Sequence, residues 1–159
     1  MEIERRLAEM GLELPPPVKA PPDVVLPFSF VRIHGGIAYI SGHGPQEADG
    51  SVAGPFGAVG SDVTVEQGYQ AAKAVALSML GSLKRELGYL DRVRAWLRLH
   101  GMVNCAPDFA QQPAVINGCS DLLLALYGPD RGAHARSAVG MSALPFNMAV
   151  EIEAMAAID

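Results

Sequence analysis

Cysteine is scarce in this chain of 159 residues: Cys105 and Cys119 are the only two, too few and too close for a disulfide framework. Their spacing does not suit a zinc knuckle either, and the four histidines, His34, His43, His100 and His134, share no metal-ligand spacing. Basic residues are also few. Twelve Lys and Arg stand against seventeen Asp and Glu, a formal net charge of -5, so no positive field is offered to nucleic acid. Long hydrophobic runs are missing. The uncharged helical stretch Ala74 to Leu83 is interrupted by Ser78, Gly81 and Ser82 and falls far short of a membrane span. The opening MEIERRLAEMGLEL is charged where a signal peptide needs an apolar run. The glycine-rich stretch from Gly42 to Gly60 lacks the lysine of a phosphate loop. These absences lead us to expect a cytoplasmic protein with no membrane, no nucleic acid, no metal and no cofactor.

What is present is a balance of half apolar and 18% charged residues, enough for one compact domain. Residues 2–12 are expected to form a short helix with Ile3, Leu7 and Met10 on one face. LPPPVKAPPD follows, whose five prolines forbid helix and leave an extended connector. Residues 1–22 thus read as an N-terminal helix and Pro-rich connector, and 23–159 as a single domain. FSFVRIHGGIAYISG reads as a hairpin turning at Gly35-Gly36. The loop 43–62 is long enough to suggest a functional role. Thr64 and Gln67 form a capping-box pattern at the head of a helix over about 65–87, and Gly88 stops it.

RVRAWLRLHGMV alternates as a strand. Period two places Val93, Ala95, Leu97, Leu99 and Val103 on its inner face, and Arg94, Trp96, Arg98, His100 and Met102 on the other. PAVINGCSDLLLALYG reads as a second helix, entered at Pro113 and ended by Gly128 and Pro129. The insertion 129–135 reads as a loop. A closing hairpin with its turn at LPFN completes the chain. The order β-β-α-β-α-β-β gives an α+β fold: one mixed sheet with two helices on one face. The other face would carry Trp96, Met102, Met141 and Met155 uncovered, an apolar patch suited to another copy of the chain.

The last two strands carry one strong cation, Arg136, and the carboxylates Glu151 and Glu153 in apolar surroundings. Buried charges persist when they are paired or used. Arg136 suits either a surface or interface salt bridge or a clamp on a substrate carboxylate, whose planar fork its parallel donors match. Glu151 and Glu153 share one face by period two. One could take a proton from water, and the other could be solvated or pair with Arg98. His43 reads as a loop residue, and Cys105 and Cys119 as core thiols. The alternation of Arg92, Arg94 and Arg98 around Trp96 reads as a solvated or interface face.

Four segments together resemble the YjgF/RidA family of reactive-intermediate deaminases, which hydrolyse 2-aminoacrylate and related enamines and imines. They are LPFS with IAYISGHGP, then TVEQGYQAAKAVALSML, then DFAQQPAVINGCSDLL, and most specifically ARSAVGMSALPFNMAVEIEAMA. The resemblance covers about Val18 to Ile158. It implies a chorismate-mutase-like homotrimer, a barrel of three sheets with active sites between subunits, and no cofactor. It implies that Arg136 binds the substrate carboxylate, that Glu151 positions the attacking water, and that Gly42 and Asn117 line the pocket. Phe28 stands where archetypal members carry tyrosine, and Ala138 where many carry cysteine. These departures, with the N-terminal extension, the loop 43–62 and the insertion 129–135, mark a divergent branch. The implied activity is deamination of small 2-imino acids. The alternatives are a non-catalytic small-carboxylate-binding trimer and, less favoured by the acidic composition, a ribonuclease.

Overall fold

The computed structural model describes residues 1–159. The elements are α1 (Glu2–Glu9), β1 (Val31–His34), β2 (Ile37–His43), α2 (Val65–Leu87), β3 (Val93–Asn104), α3 (Gln112–Arg131), β4 (Ala135–Met141) and β5 (Val150–Ile158). They build one five-stranded sheet in the order β1-β2-β5-β3-β4, with α2 and α3 packed on one face. The expected α+β order of strands and helices is therefore observed.

Local sequence explains most boundaries. Gly35 and Gly36 take φ of 58° and 74°, which turns β1 tightly into β2. Thr64 Oγ1 accepts from the Gln67 N–H, and Gln67 Oε1 accepts from the Thr64 N–H, so the capping box forms at the start of α2. Ile3 and Leu7 of α1 are buried in the main core, whereas Met10 lies beyond the helix and is exposed.

Four expectations need correction. The last two strands are not a hairpin. β4 pairs in parallel with β3 at the sheet edge, β5 pairs antiparallel with both β2 and β3, and so β3 lies between them. The residues LPFN belong to a crossover, not to a hairpin turn. Secondly, β3 does not keep period two. Its register to β5 slips between Val93 and Ala95 and again between Trp96 and Arg98. Each slip is an extra residue that flips the faces. Trp96 therefore turns inward, 1% exposed, and meets Tyr127 edge-on at 5.9 Å, while Leu97 turns outward.

Thirdly, the segment after Gly128 is not all loop. Gly128 kinks α3 with φ 78° and ψ 177°, and one further turn runs on to Arg131. Fourthly, the helix-free face is not a continuous apolar patch. One end is covered by the crossover, where Leu144 and Met148 bury Met102. The middle is a shallow groove that includes Arg32, Tyr39, Arg98, His100, Glu153 and Met155. Glu153 lies opposite His100 in the ladder and makes no ion pair with Arg98.

Candidate active site

Glu151 sits on β5 opposite Met102 of β3, on the helix-free side of the sheet. A slip in the pairing of β2 with β5 between Ile40 and His43 leaves one extra residue in β2 and brings Gly42 against Glu151. The Glu151 carboxylate is half-buried and accepts no hydrogen bond within the protomer. Burial raises its pKa above the ordinary carboxylate value, and the Glu153 charge two residues on adds to the shift. A carboxylate with a raised pKa is a stronger base at neutral pH.

Glu151 and Gly42 lie at a cavity of about 340 Å³ that also takes in Phe28, Phe30 and His43. Phe28 meets Phe30 edge-on at 5.3 Å, and Phe30 packs on His43 at 5.1 Å. His43 is not a loop residue. It ends β2, is 2% exposed, and bonds Ser41 O through Nδ1 at 2.6 Å and Ser82 Oγ through Nε2 at 2.9 Å. Burial lowers its pKa from 6.5 to about 4 against the pull of the Ser41 carbonyl, and the Arg85 charge lowers it further. The ring is therefore neutral, with Nδ1 donating to Ser41 and Nε2 accepting from Ser82.

Arg136 lies elsewhere. It stands on β4 opposite Leu99, on the side of the sheet that carries the helices. Its Nη1 donates to Ser120 Oγ at 2.9 Å, and its Nη2 to the Pro113 carbonyl at 3.3 Å. Both acceptors belong to α3, and Asn117 falls between them on the same helical face. Asn117 is half-buried and makes no side-chain hydrogen bond. Ser120 is also bonded to His134 Nε2 at 2.9 Å, and His134 Nδ1 lies 2.7 Å from Gly132 O. A carbonyl can only accept, so Nδ1 carries a proton; in the neutral ring Nε2 then accepts from Ser120, and Ser120 accepts from Arg136. The same order of groups recurs on α2, where Arg85 donates to Ser82 and Ser82 to His43.

No carboxylate of the protomer pairs with Arg136; the ion pairs of the chain use Arg5, Arg6, Lys19, Arg92 and Arg94. Two of its five N–H groups are committed, which leaves a cation held by neutral partners with donors to spare. The protomer thus brings Phe28, Gly42 and Glu151 together, and separately Asn117 and Arg136. The two groups lie on opposite faces of the sheet, two strand spacings apart, or roughly 10 Å across the ladder alone.

Sequence reasoning named Phe28 but missed Ser120, His134, Ser82 and Phe30. A signal existed for two of them: Ser120 follows Asn117 by three on a helix, and His134 precedes Arg136 by two on an extended segment.

Residues 4–158 match the family described as "YjgF/chorismate mutase-like, putative endoribonuclease". The chain belongs to the YjgF/RidA family. It is 37% identical over 153 residues to Protein TCP17 of Trypanosoma cruzi, covering 96% of this chain and 92% of that one. A crystal structure of a protein of unknown function from Agrobacterium tumefaciens matches with a TM-score of 0.87 at 39% identity, over 99% of this chain and 92% of that one. "A putative endoribonuclease" from Shewanella oneidensis matches with a TM-score of 0.90 at 30% identity, over 99% of this chain and all of that one. In this YjgF/RidA protein the family match begins at residue 4, so it takes in most of α1 and the proline-rich connector as well as the sheet.

Proposed function

We propose that the protein hydrolyses 2-imino and enamine acids of the 2-aminoacrylate and 2-iminopropanoate type to 2-oxo acids and ammonia, without a cofactor. The observation that carries this reading is Arg136, a fixed guanidinium with free donors and no carboxylate of its own. An imino acid supplies that carboxylate. Its carbon-nitrogen double bond then requires only a water and a group that can move protons.

Glu151 is suited to that part. Its carboxylate takes a proton from water as the oxygen attacks C2 of the protonated imine, which gives a neutral carbinolamine. The same group then delivers the proton to nitrogen. The carbon-nitrogen bond breaks, ammonia leaves with the bonding pair, and the hydroxyl proton returns to Glu151 as the carbonyl forms.

Arg136 and Glu151 lie too far apart in one protomer for a small substrate to touch both, so we place the complete site between subunits of a homotrimer. Arg136 and Asn117 of one copy would face Phe28, Gly42 and Glu151 of the next. The unpaired thiols of Cys105 and Cys119 fit a cytoplasmic setting. A second reading, a non-catalytic carboxylate-binding trimer, is favoured by Phe28, which offers no hydroxyl to the site. The ribonuclease activity in the family's description finds little support in a chain of net charge -5.

The test is ammonia release from imines generated in situ by an amino acid oxidase. Arg136→Ala is expected to lower kcat/KM about 30- to 1,000-fold, the loss of a charged hydrogen-bonded pair. Equal rates for wild type and variant would remove the deaminase reading. Binding of a 2-oxo acid with no turnover would favour the second reading. A monomer in sedimentation would remove the shared site.

A further inference from the structure

We propose that the cavity beside Glu151 receives an apolar side chain of the substrate, so that the protein prefers imino acids with branched or aromatic side chains over the three-carbon one. This inference rests on the deaminase reading and specifies its substrate class.

The cavity is apolar over most of its wall, with Phe28, Phe30, Phe146 and Met148 in its lining. Its polar lining is Glu151, Lys19, whose ammonium lies 4.0 Å from Asp49, and Gln46, which is bonded to the connector. His43 also borders it, but both ring nitrogens are satisfied by Ser41 and Ser82, so the ring contributes a packed surface against Phe30. A volume of about 340 Å³ falls in the range of small-molecule sites, roughly 300–1,000 Å³. A methyl substituent would leave most of this wall wetted, whereas a leucine- or phenylalanine-sized substituent would cover it.

The wall is built to stay in place. On one side the connector is held by the Lys19 N–H on Gly50 O at 3.0 Å and by Gln46 Nε2 on Pro16 O at 3.1 Å. On the other, Asn104 Nδ2 donates to Asn147 Oδ1 and to Met148 O, both at 3.2 Å. Phe146 and Asn147 there adopt φ of 57° and 56°. A phenylalanine in the left-handed region is strained, and such strain persists where the surroundings hold it. Phe146, 70% exposed, and Phe28, 53% exposed, both line the cavity. Nothing in their own protomer covers these two aromatics, which suits an apolar ligand held at the subunit seam.

The experiment compares ammonia release from the imines of alanine, leucine and phenylalanine, and calorimetric binding of pyruvate, 4-methyl-2-oxopentanoate and phenylpyruvate. Wild type is expected to show kcat/KM at least about tenfold higher for the larger imines, with the 2-oxo acids bound in the same order. Phe146→Ala and Phe28→Ala should each shrink that preference to about threefold or less. Equal or better use of the alanine imine overturns the proposal. Failure to release ammonia from any imine removes the deaminase reading, and the proposal then stands or falls on whether the larger 2-oxo acids bind more tightly. If Phe146→Ala and Phe28→Ala leave the preference unchanged and dissociate the assembly, the aromatic wall serves subunit contact and the proposal is wrong.

Discussion

The Glu151 carboxylate lies so close to Gly42 that a Cβ added there would sit 3.0 Å from both Glu151 Cδ and Glu151 Oε2. Gly42 is not in the left-handed region, so the glycine is required by space and not by backbone angle. Gly42→Ala should therefore fold normally and push the carboxylate aside by a few tenths of an ångström. We expect a loss of about 10- to 100-fold in kcat/KM, since small misplacements of a reacting group are expensive. Thermal melting should shift by less than about 2 °C. An unchanged rate would show that Glu151 does not act from this position.

Ser120 touches Arg136 and His134, so under the proposed mechanism it is a positioning residue whose effect on substrate passes through the guanidinium. Ser120→Ala removes one of the two acceptors that aim Arg136 and leaves His134 Nε2 without a donor. Carboxylate binding is shared by ground and transition states, so the change should appear in KM, about 3- to 10-fold higher, with kcat within about twofold. A fall in kcat at constant KM would place Ser120 in the chemistry instead.

His43 makes the fold sensitive to acid. Its pKa is about 4 in the folded protein against 6.5 when free. Between these values the unfolded chain binds the extra proton, so stability falls as pH drops through that window. The loss attributable to this group approaches roughly 3 kcal/mol at the acid end. Chemical denaturation from pH 7 to pH 4 should show a shallower decline for His43→Gln than for wild type. Parallel curves would mean that His43 is protonated in place without penalty.

Glu151 acts in the opposite direction. Its raised pKa means that the folded protein favours the protonated carboxyl, so stability from this group is present in acid and lost as pH rises through the folded value. The half-exposed position limits the size of the effect by solvent screening. Glu151→Gln should melt about 1–3 °C above wild type at pH 8, with the difference gone at pH 4, and should lose the proposed deaminase activity. A lower melting point at pH 8 would show that the carboxylate stabilises the fold.

Much of the fold was legible because its signals are local. The Thr64–Gln67 box, the Gly35-Gly36 turn and the stop at Gly88 depend on residues within a few positions of one another. Trp96 was placed on the wrong face because a bulge leaves no mark in a strand's own composition: the slip is defined only against β5. The closing strands were read as a hairpin for a related reason, since consecutive strands usually pair and nothing in LPFN states that β3 will lie between them.

The residue types of the candidate site were likewise visible, because a lone guanidinium and a carboxylate in apolar strands are conspicuous in any reading. Their surroundings were not. Ser120 and His134 are fourteen residues apart and Ser82 and His43 thirty-nine, and hydrogen bonds over such separations exist only once α3 and α2 are packed on the sheet. The sequence by itself settled which groups could do chemistry, through side-chain type and short-range spacing. Only the tertiary structure decided that Glu151 shares a cavity with three phenylalanines while Arg136 faces away from it, because strand order and bulges are settled by packing between distant segments.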